Sequence, residues 1–144
     1  MADIDAIRAA IASRLSTLVG NTGQSSAYAL DNPTPPCLQV VGIAATSYDL
    51  TFQRGTDEIL MTIQGIAGNT VDKAAQILLD NWLDTTGSTS VKAAIETERT
   101  SGGAVTLGGI VSYCRVTGTT GSRISKLPNG TDVWFAEWTL EITT

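Results

Sequence analysis

The residues able to do chemistry are few, and the first fact about them is an absence: the 144 residues include no histidine. Without an imidazole, neither a Ser/His/Asp nor a Cys/His nucleophile can be assembled, and the commonest general base and metal ligand are missing. Two cysteines, Cys37 and Cys114, stand far apart in apolar stretches. They read as buried reduced thiols packing as small hydrophobes, with a single disulfide in an oxidising compartment as the alternative. Without histidine they offer no zinc site. Three sets of carboxylates remain: Asp57 with Glu58, Glu96 with Glu98, and Asp31 with Asp49. Such pairs serve glycoside or metal-assisted hydrolysis when they converge in a cleft. Here each falls in a turn or on the polar side of a helix, where solvated carboxylates are the rule. Asp72 sits at the start of a helix, where a carboxylate meets the positive end of the dipole. No phosphate-binding glycine motif occurs, and Gly102-Gly103 and Gly108-Gly109 read as turns or bulges. The expectation is a protein that is not an enzyme, with no catalytic, cofactor-binding or metal residues and no cofactor.

Charge narrows the partners. The net charge is −5, and nine Lys and Arg are scattered without a basic stripe. A tight grip on nucleic acid needs such a stripe to displace phosphate counterions. Charged residues make up 16% of the chain and hydrophobic ones 42%, so much of the surface is neutral, as suits a protein packed against neighbours. No segment approaches the length of a membrane span and no secretory leader is apparent, so a cytoplasmic site of synthesis or assembly is expected.

The elements that must carry these residues follow from periodicity. Residues 3–19 read as an amphipathic helix with Ile4, Ile7, Ile11, Leu15 and Leu18 on its stripe, Asp3 as N-cap, and Arg8 and Arg14 turned to solvent or a partner. A short strand is expected over 26–30, then the proline run to Pro36. Strands follow over 37–43, 46–52 and 58–66, the last two joined as a hairpin by the turn 53–57. A second helix runs from a Thr70 cap to Leu83, with Val71, Ala74, Ala75, Leu78, Leu79, Trp82 and Leu83 on its apolar face. A third begins at the Ser90 cap and runs to about Glu98, with Val91, Ala94 and Ile95 inward. The strands 105–117 and 132–143 make a long C-terminal hairpin whose tip, 118–131, is a polar loop. Trp134, Ala136, Trp138, Leu140 and Ile142 share one face of the last strand. Trp82, Trp134 and Trp138 read as core packing, or alternatively as interface anchors. Helices and strands do not alternate, so the class is α+β: an antiparallel or mixed β-sheet packed by an N-terminal helix and two central helices, with the long C-terminal β-hairpin, in a single domain spanning 1–144. Loops of this length are functional or solvated. Arg123 and Lys126 at the tip, and Arg54 and Asp57 in the earlier turn, are therefore the candidate inter-subunit contacts.

Several stretches together resemble the tail terminator proteins of long-tailed phages, in particular those of actinobacteriophages. They are Asn32-Pro33-Thr34-Pro35-Pro36; the run from Tyr48 through Leu50, Phe52 and Arg54 to Asp57; Ala74-Ala75-Gln76 with Leu79 and Leu83; the run from Gly87 to Glu96; and Gly102-Gly103-Ala104-Val105. They cover most of residues 1–117 in the family's order. The chain departs from the pattern at Ser101, where a leucine is expected, and in its longer tip. The resemblance is to proteins like the phage lambda tail terminator. It implies a hexameric ring on the last ring of the tail tube that stops polymerisation and forms the surface joining tail to head or neck. Its implied partners are further copies of itself, the major tail protein and a neck or head-closure protein, with DNA only in passage through the lumen and no membrane. The implied place is the upper end of the virion tail, reached by assembly in the host cytoplasm. A ring that DNA crosses should not grip phosphate, and an acidic subunit is compatible with that. The alternatives are a head-closure or adaptor subunit of the neck, or a monomeric binding module using the 118–131 loop.

Overall fold

The computed structural model describes residues 4–19, 23–30, 35–48, 56–96, 107, 110–128 and 130–144. The elements, in chain order, are α1 (Ile4–Val19), β1 (Gln24–Ser26), β2 (Cys37–Ser47), β3 (Glu58–Asn69), α2 (Lys73–Leu83), α3 (Val91–Ile95), β4 (Tyr113–Thr119), β5 (Arg123–Lys126) and β6 (Asp132–Thr143). The expected α+β class is what is seen. Among the described residues a mixed six-stranded sheet runs β1-β2-β3-β6-β4, with β5 also paired to β6. Only the β1–β2 pair is parallel.

The period-two pattern of β6 is met in full: Ala136, Trp138, Leu140 and Ile142 are buried, and Trp134 packs against the same core. Ile59, Met61 and Ile63 of β3 face the same way, and Ile7, Ile11, Leu15 and Val19 of α1 close over them with α2 and α3. Trp82 and Trp138 are therefore core residues, Trp138 also reaching the floor of a surface groove. On α1, Val19 takes the last inward place expected of Leu18, which is only partly buried, and Ile4 is exposed at the start of the helix. The expected Asp3 cap lies outside the described residues.

Five local readings are corrected. The first strand is Gln24–Ser26 rather than 26–30, because its pairing to β2 stops at Ser26↔Gln39. The strands expected over 37–43 and 46–52 are one strand through Ser47, bent by bulges between Val40 and Gly42 and between Ile43 and Ala45, while 49–52 lie outside the described residues. The cap of α2 is Asp72, whose carboxylate accepts from the Ala74 N–H at 2.9 Å, rather than Thr70. The strand expected from Val105 begins at Tyr113, and Leu107 instead sits in a turn at φ 52 with its side chain buried. Finally, the polar tip 118–131 is not one open loop: β4 runs on to Thr119, and β5 (Arg123–Lys126) continues along the same side of β6. The hairpin closes between Leu127 and Gly130, where the Gly130 N–H donates to the Leu127 carbonyl at 2.8 Å and Gly130 takes φ 89. Leu127 then folds onto a small second core of Cys37, Ile66 and Val133.

That packing changes what the tip is for. Deleting residues 119–128 removes a paired strand and the Leu127 contact, so the variant is expected to lose cooperative thermal unfolding. Charge reversal at Arg123 and Lys126 should leave the melting temperature within about a degree or two, since exposed pairs such as Lys126–Asp132 contribute little. Differential scanning calorimetry of the two variants separates these outcomes.

Candidate functional site

The predicted contact residues do not converge. Arg54 lies outside the described residues. Asp57 precedes β3, where its backbone N–H donates to Thr144 Oγ1 at 2.9 Å and its carbonyl accepts from the Thr144 N–H at 3.0 Å. Arg123 is exposed on β5 opposite Phe135, and Lys126 pairs with Asp132 at 3.3 Å. Phe135 and Thr144 are nine residues apart on one extended segment, so Asp57 and Arg123 sit roughly 30 Å apart at opposite ends of the sheet. Two separate surfaces are therefore present rather than one site.

Nor do the candidate chemical groups assemble. Glu96 is half-buried and paired with Lys92, one helical turn away. Glu98, Asp31 and Asp49 lie outside the described residues. No group of three Cys, Asp or Glu among the described residues is placed to hold a metal ion. Among the described residues no helix is long and apolar enough to cross a membrane.

Both cysteines are buried, and neither forms a disulfide. Cys37 aligns through Ile66, and Cys114 through Ile142 and Ile59, so they are seven positions apart along β3, roughly 23 Å. That is far beyond disulfide reach, which removes the disulfide alternative. Burial pushes the Cys37 thiol from 9.0 up to about 11. A thiol raised on folding contributes stability that is complete below pH 9 and lost as pH rises towards 11. Cys37 should thus resist iodoacetamide at pH 8 in the folded chain and react once urea unfolds it, as peptide mass spectrometry would read.

Three concavities were compared for convergent polar groups. The largest, about 440 Å³, lies between α1 and α3 beside Ser13, Arg14 and Ala93, and Arg14 is already turned to the Ile95 carbonyl at 2.9 Å. Another, about 180 Å³, lies under the hairpin tip beside Gln39 and Gln64. These two amides bond to each other at 2.8 Å, and Gln39 Oε1 also accepts from the Leu30 N–H at 2.9 Å, which explains a buried glutamine without a ligand. The third, about 240 Å³, is an open groove between the end of α2 and β4, with Leu83, Val116 and Trp138 as its apolar floor and Asp84, Thr85 and Lys92 on its rim.

The surface features missed in the sequence are apolar. Val71 is 90% exposed, Tyr48 74% and Ile124 58%. Val71 was expected on the apolar face of α2, but it precedes the Asp72 cap. A residue there packs inward only by stapling to an apolar partner at the fourth helical position, and that position is Gln76. The missing partner was visible in the sequence once the cap was correctly placed. Arg8 and Arg14, expected to face outward, instead bond to backbone carbonyls.

In comparison with known proteins, no family model matches the chain and no curated protein matches it significantly.

Proposed function

We propose that this chain is a non-enzymatic virion subunit that closes into a ring, a hexamer by the resemblance, on the last ring of a long-tailed phage's tail tube. There it stops tube polymerisation and presents the surface that joins the tail to the head or neck. Its partners are copies of itself, the major tail protein and a neck or head-closure protein. DNA meets it only in passage, and it uses no cofactor. It resides at the upper end of the tail after assembly in the host cytoplasm.

The observation that carries this reading is where the resembling stretches fall. Ala75 and Leu79 in one stretch, and Val91, Ala94 and Ile95 in another, are buried, and Ser90 caps α3 through the Ala93 N–H at 3.2 Å. Two of the resembling stretches thus contribute residues to the core, beside exposed ones such as Ala74 and Gln76, and this supports a shared fold.

Negative-stain electron microscopy of the purified protein, and of tail tubes incubated with it, tests the reading. Rings, free or seated on one tube end, are expected. Rings that bind only the portal-side neck would favour the adaptor alternative. A strictly monomeric protein, missing from purified virions, would contradict both.

A further inference from the structure

Apart from its Asp72 cap, helix α2 carries at each end charges that its own dipole does not favour. The N-terminal end of a helix favours acidic side chains and the C-terminal end basic ones. In α2 the first residue is Lys73 and no acidic residue follows in the first turn, although the Asp72 cap precedes it. Asp80 lies in the last turn, Asp84 is the C-cap, and no basic residue is there. Lys73, Asp80 and Asp84 are all exposed.

Each end also carries half of an apolar contact. At the N-terminal end Val71 stands out of the surface without a staple partner. At the C-terminal end lies the groove floored by Leu83, Val116 and Trp138. On its rim Lys92 is held by Glu96, which leaves Asp84 as the rim charge facing outward.

We infer that the two ends of α2 are the two halves of one interface between copies of this chain: Val71 of one copy seats in the Leu83–Val116–Trp138 groove of the next, and Lys73 meets Asp84. The inference rests on the ring reading and specifies which surfaces close it. The occupant is a second copy because the chain itself presents both members of the pair, with opposite charge beside a knob and beside a groove. The halves are separated by the eleven-residue length of α2, roughly 16 Å. Such a contact is heterologous, so it repeats from copy to copy and closes into a ring where the rotation allows. Stacking the positive end of one α2 near the negative end of the next also satisfies both sets of misplaced charges.

Sedimentation velocity and native mass spectrometry of the full chain over a concentration series test this, using K73E, D84K, the K73E/D84K pair and T85W. Thr85 is an exposed rim residue, and a tryptophan there crowds the groove. Each single charge reversal is expected to raise the concentration needed for assembly about tenfold, and the double reversal to return it to within about threefold of wild type. T85W should block assembly with the fold intact by circular dichroism. K73E and D84K both correct the charge order of α2, so the isolated subunit should melt no lower than wild type while assembling worse. A residue serving only its own helix would not split these readouts. Assembly that survives K73E, D84K and T85W unchanged would overturn this interface while leaving the ring reading in place. A wild-type chain that stays monomeric at every concentration, with or without tail tubes, would overturn both.

Discussion

Replacing Trp82 with alanine is expected to lower the stability of the folded chain by about 3–5 kcal/mol, which is the usual cost of truncating a fully buried large aromatic. Trp82 is completely buried and belongs to the same cluster as Ala75 and Leu79 of α2, Val91 and Ile95 of α3, and Leu140 of β6. It is therefore where α2, α3 and the sheet meet. Since a domain of this kind is stable by only about 5–15 kcal/mol in all, the variant should sit close to its unfolding threshold at 25 °C. Phenylalanine is the informative comparison. The Trp82 indole N–H is buried with no hydrogen-bond acceptor among the described residues, so W82F removes an unpartnered donor along with some volume. Its cost should fall below about 1.5 kcal/mol, as for other near-isosteric changes. Urea unfolding followed by circular dichroism measures both. Equal losses in the two variants would show that the indole nitrogen has a partner.

The second large effect is at Arg8. The β1–β2 ladder ends at Ser26↔Gln39, and the next carbonyl on each strand lacks a partner across the gap. Arg8 Nη1 fills it, donating to the Ala27 carbonyl at 2.8 Å and to the Val40 carbonyl at 3.1 Å. Its guanidinium also lies 4.6 Å from the centroid of the Tyr28 ring. One side chain of α1 therefore stands in for a strand pair. Arg8→Met keeps the stem and removes the donors, leaving two carbonyls partly out of water. The expected loss is about 2–3 kcal/mol, as for hydrogen bonds made by a charged group. Arg8→Lys should recover less than half, because the shorter side chain with a compact ammonium loses the planar stacking on Tyr28. The same unfolding measurement checks this, and hydrogen exchange should report early opening at Gln24–Ser26.

Arg8 also shows where sequence reasoning stops. A stripe of Ile7, Ile11 and Leu15 announces the buried face of α1, because burial follows a period that the residue types display. An arginine beside the stripe gives no sign of whether a carbonyl or water awaits it, since that depends on where β1 leaves the sheet. The same division holds elsewhere. The β6 alternation, the Ser90 cap and the inward trio of α3 were legible because each is local: a pattern, or a hydroxyl three residues from an N–H. The joining of 37–43 with 46–47 was not, because a bulge looks like a strand break in a single sequence. The tip 118–131 looked like a loop for its Ser, Thr and Gly content. Yet Ile124 and Lys126 gain their strand conformation from pairing with β6, which composition does not display.

The candidate contacts fared in the same way. Arg123, Lys126 and Asp57 stand out in the sequence as charges in polar segments, and the structure sets Arg123 and Lys126 at the other end of the sheet from Asp57. The features that now point to assembly are Val71 and the reversed charges of α2. The charges were readable throughout. Their significance emerged only when Asp72 was seen to cap the helix and Leu83, Val116 and Trp138 were seen to form a groove at its other end.

We propose above that this chain ends a tail tube. The most direct measurement is the length distribution of tubes grown in vitro from the major tail protein of the same phage, with and without the chain, imaged by negative stain. Substoichiometric amounts are expected to arrest growth and leave one ring on one end of each arrested tube. Tubes that keep elongating to the same lengths, with bare ends and unbound chain in solution, would contradict it.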